Sequence, residues 1–166
     1  DTIQRRIDPA FQPRAALDFG CGVGRVAIPL ARVCRSVVGA DVSPAMLEEA
    51  QRNCREQGVR NVSLVRTDDA LAQVEGPFDL IHSFIVFQHV VVDRGEELVR
   101  RLLYLLEPGG VAALHFTYAS PLPAPRRLLL WGLDHVPFLF ALRNLVKSRP
   151  LHEPKMQVNL YNLNRV

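Results

Sequence analysis

Cysteine is scarce in this sequence, and the little there is does not pair. Cys21, Cys34 and Cys54 form no Cys-x-x-Cys unit. Three thiols cannot all be matched to one another, so a disulfide framework is excluded and free thiols in a reducing compartment are expected. Long apolar runs are missing too. The most apolar stretch, residues 128–146, is broken by Asp134, His135, Pro137 and Arg143, which makes it a poor membrane span. Residues 1–14 carry no apolar core of the kind a secretory signal needs. Charge of one sign is nowhere concentrated. The formal net charge is +3, but acids and bases are interspersed and the basic clusters, Arg126-Arg127 and Lys147/Arg149, are short. That pattern argues against a basic arm for nucleic acid. The expectation is a cytoplasmic protein with no integral membrane segment.

What is present is an alternation of short β-branched runs with amphipathic stretches. The 166 residues suffice for one domain able to bury roughly 68–70% of its unfolded surface. Residues 15–19 form an apolar run that ends at a glycine cluster and reads as a buried strand. Residues 25–33 place Val26, Ile28, Leu30 and Val33 as in a short helix, with Pro29 near its first turn. Residues 36–41 read as a second strand ending on an acid. Ser43-Pro44 is a helix start, with Ser as N-cap and Pro at the first helical position. Met46, Leu47, Ala50 and Cys54 give that helix an apolar stripe, and Gly58 ends it. Strands are expected at 62–66, 78–84 and 111–116, with a helix over 96–106 stopped by Glu107-Pro108-Gly109-Gly110. Such alternation implies right-handed crossovers and a mostly parallel, doubly wound α/β sheet covered on both faces.

The chemistry concentrates at the first strand-to-helix turn, Leu17-Asp18-Phe19-Gly20-Cys21-Gly22-Val23-Gly24-Arg25. Glycines there let the chain turn sharply and let a ligand approach the main chain, in the crevice where open α/β sheets bind ligands. The spacing Gly22, Gly24, Ala27 also reads as the dinucleotide fingerprint GxGxxA. A pyrophosphate, however, wants bare N–H groups and positive potential, and Asp18 stands immediately before the loop. A ligand with an amino group and a sulfonium is attracted by the same carboxylate. Asp41, about 20 residues on, suits ribose hydroxyls in either cofactor class. Asp68 or Asp69 ends the third strand, where a carboxylate accepts from an adenine amino group and the next N–H reaches a ring nitrogen. Three acids at three strand ends favour a phosphate-free adenosine ligand. Each acid also has a plain structural reading: Asp18 capping the turn, Asp41 capping the helix near Ser43, Asp68 a loop acid.

Over residues 15–116 the sequence resembles the class I S-adenosylmethionine-dependent methyltransferases, of the small-molecule type called methyltransferase domain 11 or 12. The glycine turn is similar to that family's first motif. Val38-Gly39-Ala40-Asp41-Val42-Ser43-Pro44-Ala45-Met46-Leu47 resembles the second, and Phe78-Asp79-Leu80-Ile81 and Leu106-Glu107-Pro108-Gly109-Gly110 resemble its fourth- and fifth-strand markers. The resemblance implies a Rossmann-like sheet of seven strands with the last antiparallel, and S-adenosyl-L-methionine as cofactor. It implies Gly20, Gly22 and Gly24 around the methionine part, with Cys21 among the loop positions and Asp18 near the amino group. Asp41 then takes the ribose, Val42 and Met46 line the adenine, and Asp68, Asp69 and Ala70 supply the polar contacts to it, Asp68 being favoured as the acid. Ser83 and Phe84 flank the methyl group. Ser83-Phe84-Ile85-Val86 departs from the Asn/Asp-Pro-Pro-Tyr/Phe of enzymes that methylate amide or nucleobase nitrogens, which counts against those substrates. The family's last two strands are not found, so a native chain continuing past Val166 is expected.

Methyl transfer from a sulfonium is an in-line displacement in which the protein chiefly aligns the two reactants. A general base is needed only when the acceptor must lose a proton. His89, just past the fourth strand, is the candidate; its alternative is a residue shaping the pocket wall. His82, inside the strand, reads as buried structure, and the Cys21 thiol as packing, since nothing basic is adjacent to activate it. The expected organisation is one domain over 1–166: a cofactor-binding core at 15–116, an insertion or lid at 117–154, and the start of a helix at 155–166. Trp131, Phe138 and Phe140 read as part of a covering helix or an oligomer contact through 126–146, with an acceptor-site lining or a membrane surface as alternatives. Two rival functions stay open, an NAD(P)-dependent oxidoreductase on the same fold and a non-catalytic subunit that retains an adenosyl ligand.

Overall fold

The computed structural model describes residues 2–68, 70–118, 123, 125, 158–162 and 164. Among them five strands form one sheet in the order β3-β2-β1-β4-β5, every pair parallel. The strands are β1 Ala15–Phe19, β2 Ser36–Asp41, β3 Val62–Arg66, β4 Phe78–Ser83 and β5 Leu106–Leu114. A short α1, Thr2–Arg6, precedes them. Three helices run between strands: α2 Ala27–Leu30, α3 Pro44–Glu56 and α4 Val92–Tyr104.

Side-chain alternation along β1 divides the core into two layers. Leu17 and Phe19 join Ile81, Phe87, Leu98 and Leu102 on the face that α4 covers. Ala16 joins Ala27, Ala31, Val37 and Leu80 on the other face, beneath α2. Both β1 faces are closed to water, as a parallel sheet requires.

Local chemistry explains the boundaries. Ser43 Oγ accepts the Met46 N–H at 3.4 Å with Pro44 at the first helical position, so α3 begins where the sequence places it. Gly58 follows its end at φ +67°. The helix expected over 25–33 contracts to four residues, because residues 22–26 are taken up by the glycine turn. The helix expected over 96–106 instead starts at Val92, with Asp93 in its first turn to complement the dipole. The fifth strand also begins early. Phe78 pairs with Leu106 and Leu80 with Val111, so Glu107-Pro108-Gly109-Gly110 is looped out as a bulge within the strand rather than lying before it. The insertion expected at 117–154, the oligomer contact at 126–146 and the helix start at 155–166 fall almost wholly outside the described residues. No helix among the described residues is long and apolar enough to cross a membrane.

Candidate active site

Strand order reverses between β1 and β4, and the crevice beyond the carboxyl ends of such strands is where this architecture binds ligands. The glycine turn lies there with Gly20, Gly22 and Gly24 at φ +73°, +52° and +85°. These values belong to the left-handed region, which glycine enters without the cost a Cβ imposes. At Gly20 the requirement is doubled, since a Cβ would overlap Val86 Cγ2. Val86 belongs to the segment after β4, so this contact seats that segment directly on the glycine turn. At Gly22 a Cβ would meet no described residue within 4 Å, so that position faces open space among them.

Four backbone donors of the turn, those of the three glycines and Cys21, are already committed. Gly20 and Cys21 N–H both donate to the Ala40 carbonyl, at 2.7 and 3.1 Å, and Gly24 N–H donates to Cys21 O at 2.9 Å. Gly22 N–H donates to Asp41 Oδ2 at 2.9 Å, while Asp41 Oδ1 accepts the Ser43 N–H at 2.9 Å. Asp41 therefore ties the turn to the start of α3, performing the helix-side role and facing the glycine loop at once. From α3, Asn53 Nδ2 donates to Val23 O at 2.9 Å and fixes the far side of the turn. Diphosphates are bound by uncommitted N–H groups at the positive end of a helix. Here the N–H groups of all three glycines are engaged, and the helix that follows is only four residues long.

Asp18, at the end of β1, is buried, and Oδ1 lies 2.8 Å from His82 Nδ1. A carboxylate only accepts, so Nδ1 carries the proton and donates. The pairing follows from the parallel register, in which Asp18 stands opposite His82. Asp18 Oδ2 is also buried and has no partner among the described residues. Cys21 reports the resulting potential: burial first, then the negative charges of Asp18 and Asp41, push its thiol up to about 12. Its sulfur packs inward, 3.1 Å from where a Cβ on Gly39 would stand, so only the Cys21 backbone lines the turn.

Along the rim, Val42, Met46 and Phe84 are exposed apolar side chains, at 62%, 42% and 54%. Asp68, after β3, is exposed, and Oδ1 accepts the Ala70 N–H at 2.9 Å, closing a local turn of the loop-acid kind. Arg101 of α4 holds the same loop through Ala70 O at 3.1 Å. Asp69 lies outside the described residues. Ser83 is buried, its carbonyl accepts the His115 N–H at 2.9 Å, and its hydroxyl has no partner among the described residues. Phe84 packs on the His115 ring at 4.8 Å between centroids. Ile85 follows at φ +62°, an outlier for a β-branched residue, held by Phe84 on one side and Val86 on the other.

His89 sits exposed in the 3₁₀ turn Phe87–His89. Its Nε2 is 3.0 Å from Gln88 Nε2. An amide nitrogen donates, so His89 Nε2 is the acceptor in this contact. Gln88 also anchors the C-terminal part of the chain, its carbonyl accepting from Asn159 N at 2.8 Å and Asn159 Nδ2 at 3.1 Å. Beside it, Tyr161 N–H donates to Thr117 O at 2.8 Å and Tyr161 Oη to Val90 O at 2.9 Å. The Tyr161 ring lies so close over Gly95 that any Cβ there would overlap it. Sequence reasoning misses this docking because nothing local to residues 158–162 signals it.

Residues 16–110 match the family described as methyltransferase domain. The chain belongs to that family. Curated relatives include a ubiquinone biosynthesis O-methyltransferase of Chelativorans sp., 36% identical over 102 residues that cover 61% of this chain and 39% of the relative. A magnesium-protoporphyrin O-methyltransferase of Synechocystis sp. is 34% identical over 91 residues, 54% of this chain and 39% of the relative. This methyltransferase-domain chain thus spans about two fifths of the length of these relatives. Among solved structures, an S-adenosylmethionine-dependent methyltransferase from Clostridium acetobutylicum superposes with TM-score 0.59 at 25% identity, over 63% of this chain and 44% of that one. The Synechocystis magnesium protoporphyrin IX methyltransferase with bound SAH shares the fold, with TM-score 0.64 at 22% identity over 95% of this chain and 62% of that one.

Proposed function

We propose that this chain binds S-adenosyl-L-methionine at the carboxyl ends of β1, β2 and β3 and directs its methyl group to a small-molecule acceptor. Oxygen is the favoured acceptor atom, since both curated relatives are O-methyltransferases. The observation that carries the reading is the glycine turn itself. The N–H groups of its three glycines and of Cys21 are engaged within the protein, and the two carboxylates of Asp18 and Asp41 stand near enough to raise the Cys21 thiol. That combination repels a diphosphate and attracts a cationic amino-acid nucleoside.

The residues present fit the group. Open space at Gly22 admits the methionine part, and the buried Oδ2 of Asp18, without a partner among the described residues, offers its amino group an acceptor. Gly20 and Gly24 shape the turn and Cys21 lines it with backbone. Asp41 faces the turn from the end of β2, where ribose hydroxyls are taken in this architecture. Val42 and Met46 offer exposed apolar surface to the base, with Asp68 and Ala70 at its polar edge. Ser83 and Phe84 border the reacting centre. When bound, the cofactor supplies a sulfonium whose methyl carbon is open to in-line displacement. The chain's part is to hold an acceptor hydroxyl in line and to take its proton. His89 is the base we assign, its Nε2 held by Gln88, which must swing aside to let an acceptor in.

Calorimetric titration with S-adenosylhomocysteine and, separately, with NAD tests the cofactor. Binding of the first and no heat from the second is expected, and the reverse overturns the reading in favour of the oxidoreductase rival. Methyl transfer to a panel of phenolic acceptors then separates an enzyme from a non-catalytic binder. His89→Ala is expected to lower turnover on the order of 10²-fold or more with unchanged S-adenosylhomocysteine affinity. Undiminished turnover removes His89 as base.

A further inference from the structure

Asp18 is the deepest charged group of the turn, and half of its carboxylate is held by a residue outside every glycine motif. The His82 Nδ1–H donates to Oδ1 at 2.8 Å, while Oδ2 is buried without a partner among the described residues. Such an oxygen in a buried place calls for a donor, because an unsatisfied buried acceptor keeps its full desolvation penalty. Nearby groups do not supply one. Cys21 is a thiol pushed up by burial and by Asp18 itself, Asp41 is another carboxylate, and His115 on the far side of β4 stacks on Phe84. The missing donor is therefore expected from the ligand.

We propose that His82 is a positioning residue for the cofactor's α-amino group: by clamping Asp18 Oδ1 it turns Oδ2 toward the ammonium. The inference rests on the S-adenosylmethionine reading above and deepens it. It assigns to a strand histidine the selection of ligands that carry an amino-acid part. Geometry makes the donor atom specific. Nδ1 is attached to Cγ, and the side-chain nitrogen of asparagine occupies the corresponding place. The nitrogen of glutamine lies one bond further out, where it cannot serve Oδ1 from the same backbone register.

The test is titration of the full chain and its His82→Asn and His82→Gln variants with two probes. S-Adenosylhomocysteine carries the amino-acid part, and 5′-methylthioadenosine lacks it. H82N is expected to bind S-adenosylhomocysteine within about twofold of the parent, and H82Q about tenfold more weakly, a charge-assisted hydrogen bond being worth roughly that much. Both variants are expected to bind 5′-methylthioadenosine as the parent does, which a merely structural role for His82 would not allow. Equal S-adenosylhomocysteine affinities for H82N and H82Q overturn the proposal, as does a parallel loss for the two probes. Absence of S-adenosylhomocysteine binding in the parent overturns the cofactor reading along with it, so the two failures are told apart.

Discussion

Gly20 and Gly22 are two residues apart, share the left-handed conformation and belong to one motif, yet the structure assigns them different losses on substitution by alanine. At Gly22 the new methyl group meets no described residue within 4 Å, so Gly22→Ala carries only the conformational cost, about 1–2 kcal/mol. At Gly20 the same cost is joined by overlap with Val86 Cγ2. Overpacking of that kind adds about 1–3 kcal/mol, so Gly20→Ala is expected to lose about 2–5 kcal/mol in all. For a chain of this size each kcal/mol lowers Tm by roughly 2–4 °C. Truncating the neighbour isolates the steric part. In a Val86→Ala background the nearest remaining atom is the residue 86 Cβ, at 3.3 Å, so G20A/V86A is expected to recover most of the overlap term while the conformational term persists. Urea unfolding of the parent, the three single variants and the double variant gives the coupling energy directly. Equal losses for G20A and G22A refute the reasoning, and so does a G20A/V86A cycle with no favourable coupling.

Two other outcomes follow from shifted ionisations. Asp79 accepts the Ala15 and Arg14 N–H groups at 2.8 and 3.0 Å, and these bonds, Ala15 foremost, hold its carboxyl below the usual range against the opposing effect of burial. A group lowered in the folded state stabilises above its unfolded pKa and loses that contribution as pH falls through the folded one. Below about pH 4 the parent should therefore lose urea stability faster than Asp79→Asn; parallel curves count against the assignment. Cys21, pushed up to about 12, should resist iodoacetamide at pH 8 in the native protein and react once unfolded, read by peptide mass mapping. Native labelling of Cys21 ahead of the other thiols contradicts the placement.

Much of the fold is legible because its signals are local. β2 and β3 run over the residues the sequence indicates, since a β-branched run closed by an acid or a basic residue needs no tertiary knowledge to locate. α3 is equally plain, its cap and first-turn proline standing side by side. Misjudged boundaries are those that tertiary structure decides. α2 yields residues to a turn shaped by contacts with Val86 and Asn53, and β5 absorbs Glu107–Gly110 because Phe78 and Leu106 pair first. The same division runs through the site. Glycines and acids advertise themselves, whereas the His82–Asp18 pair exists only through the register of β1 on β4, and the Gln88 anchor only through residues 158–161 returning to it.

The bond from Tyr161 N–H to Thr117 O sets a late residue of the chain beside the far end of the sheet. Its phenol reaches 71 positions back to the Val90 carbonyl and lies over Gly95, so α4 is pinned near its start by a side chain from outside the strand-and-helix core. A chain cut before residue 161 would leave a ring-sized void against Phe87 and Phe116, and such a void costs stability in proportion to its volume. The floor of the crevice and residue 161 therefore melt together.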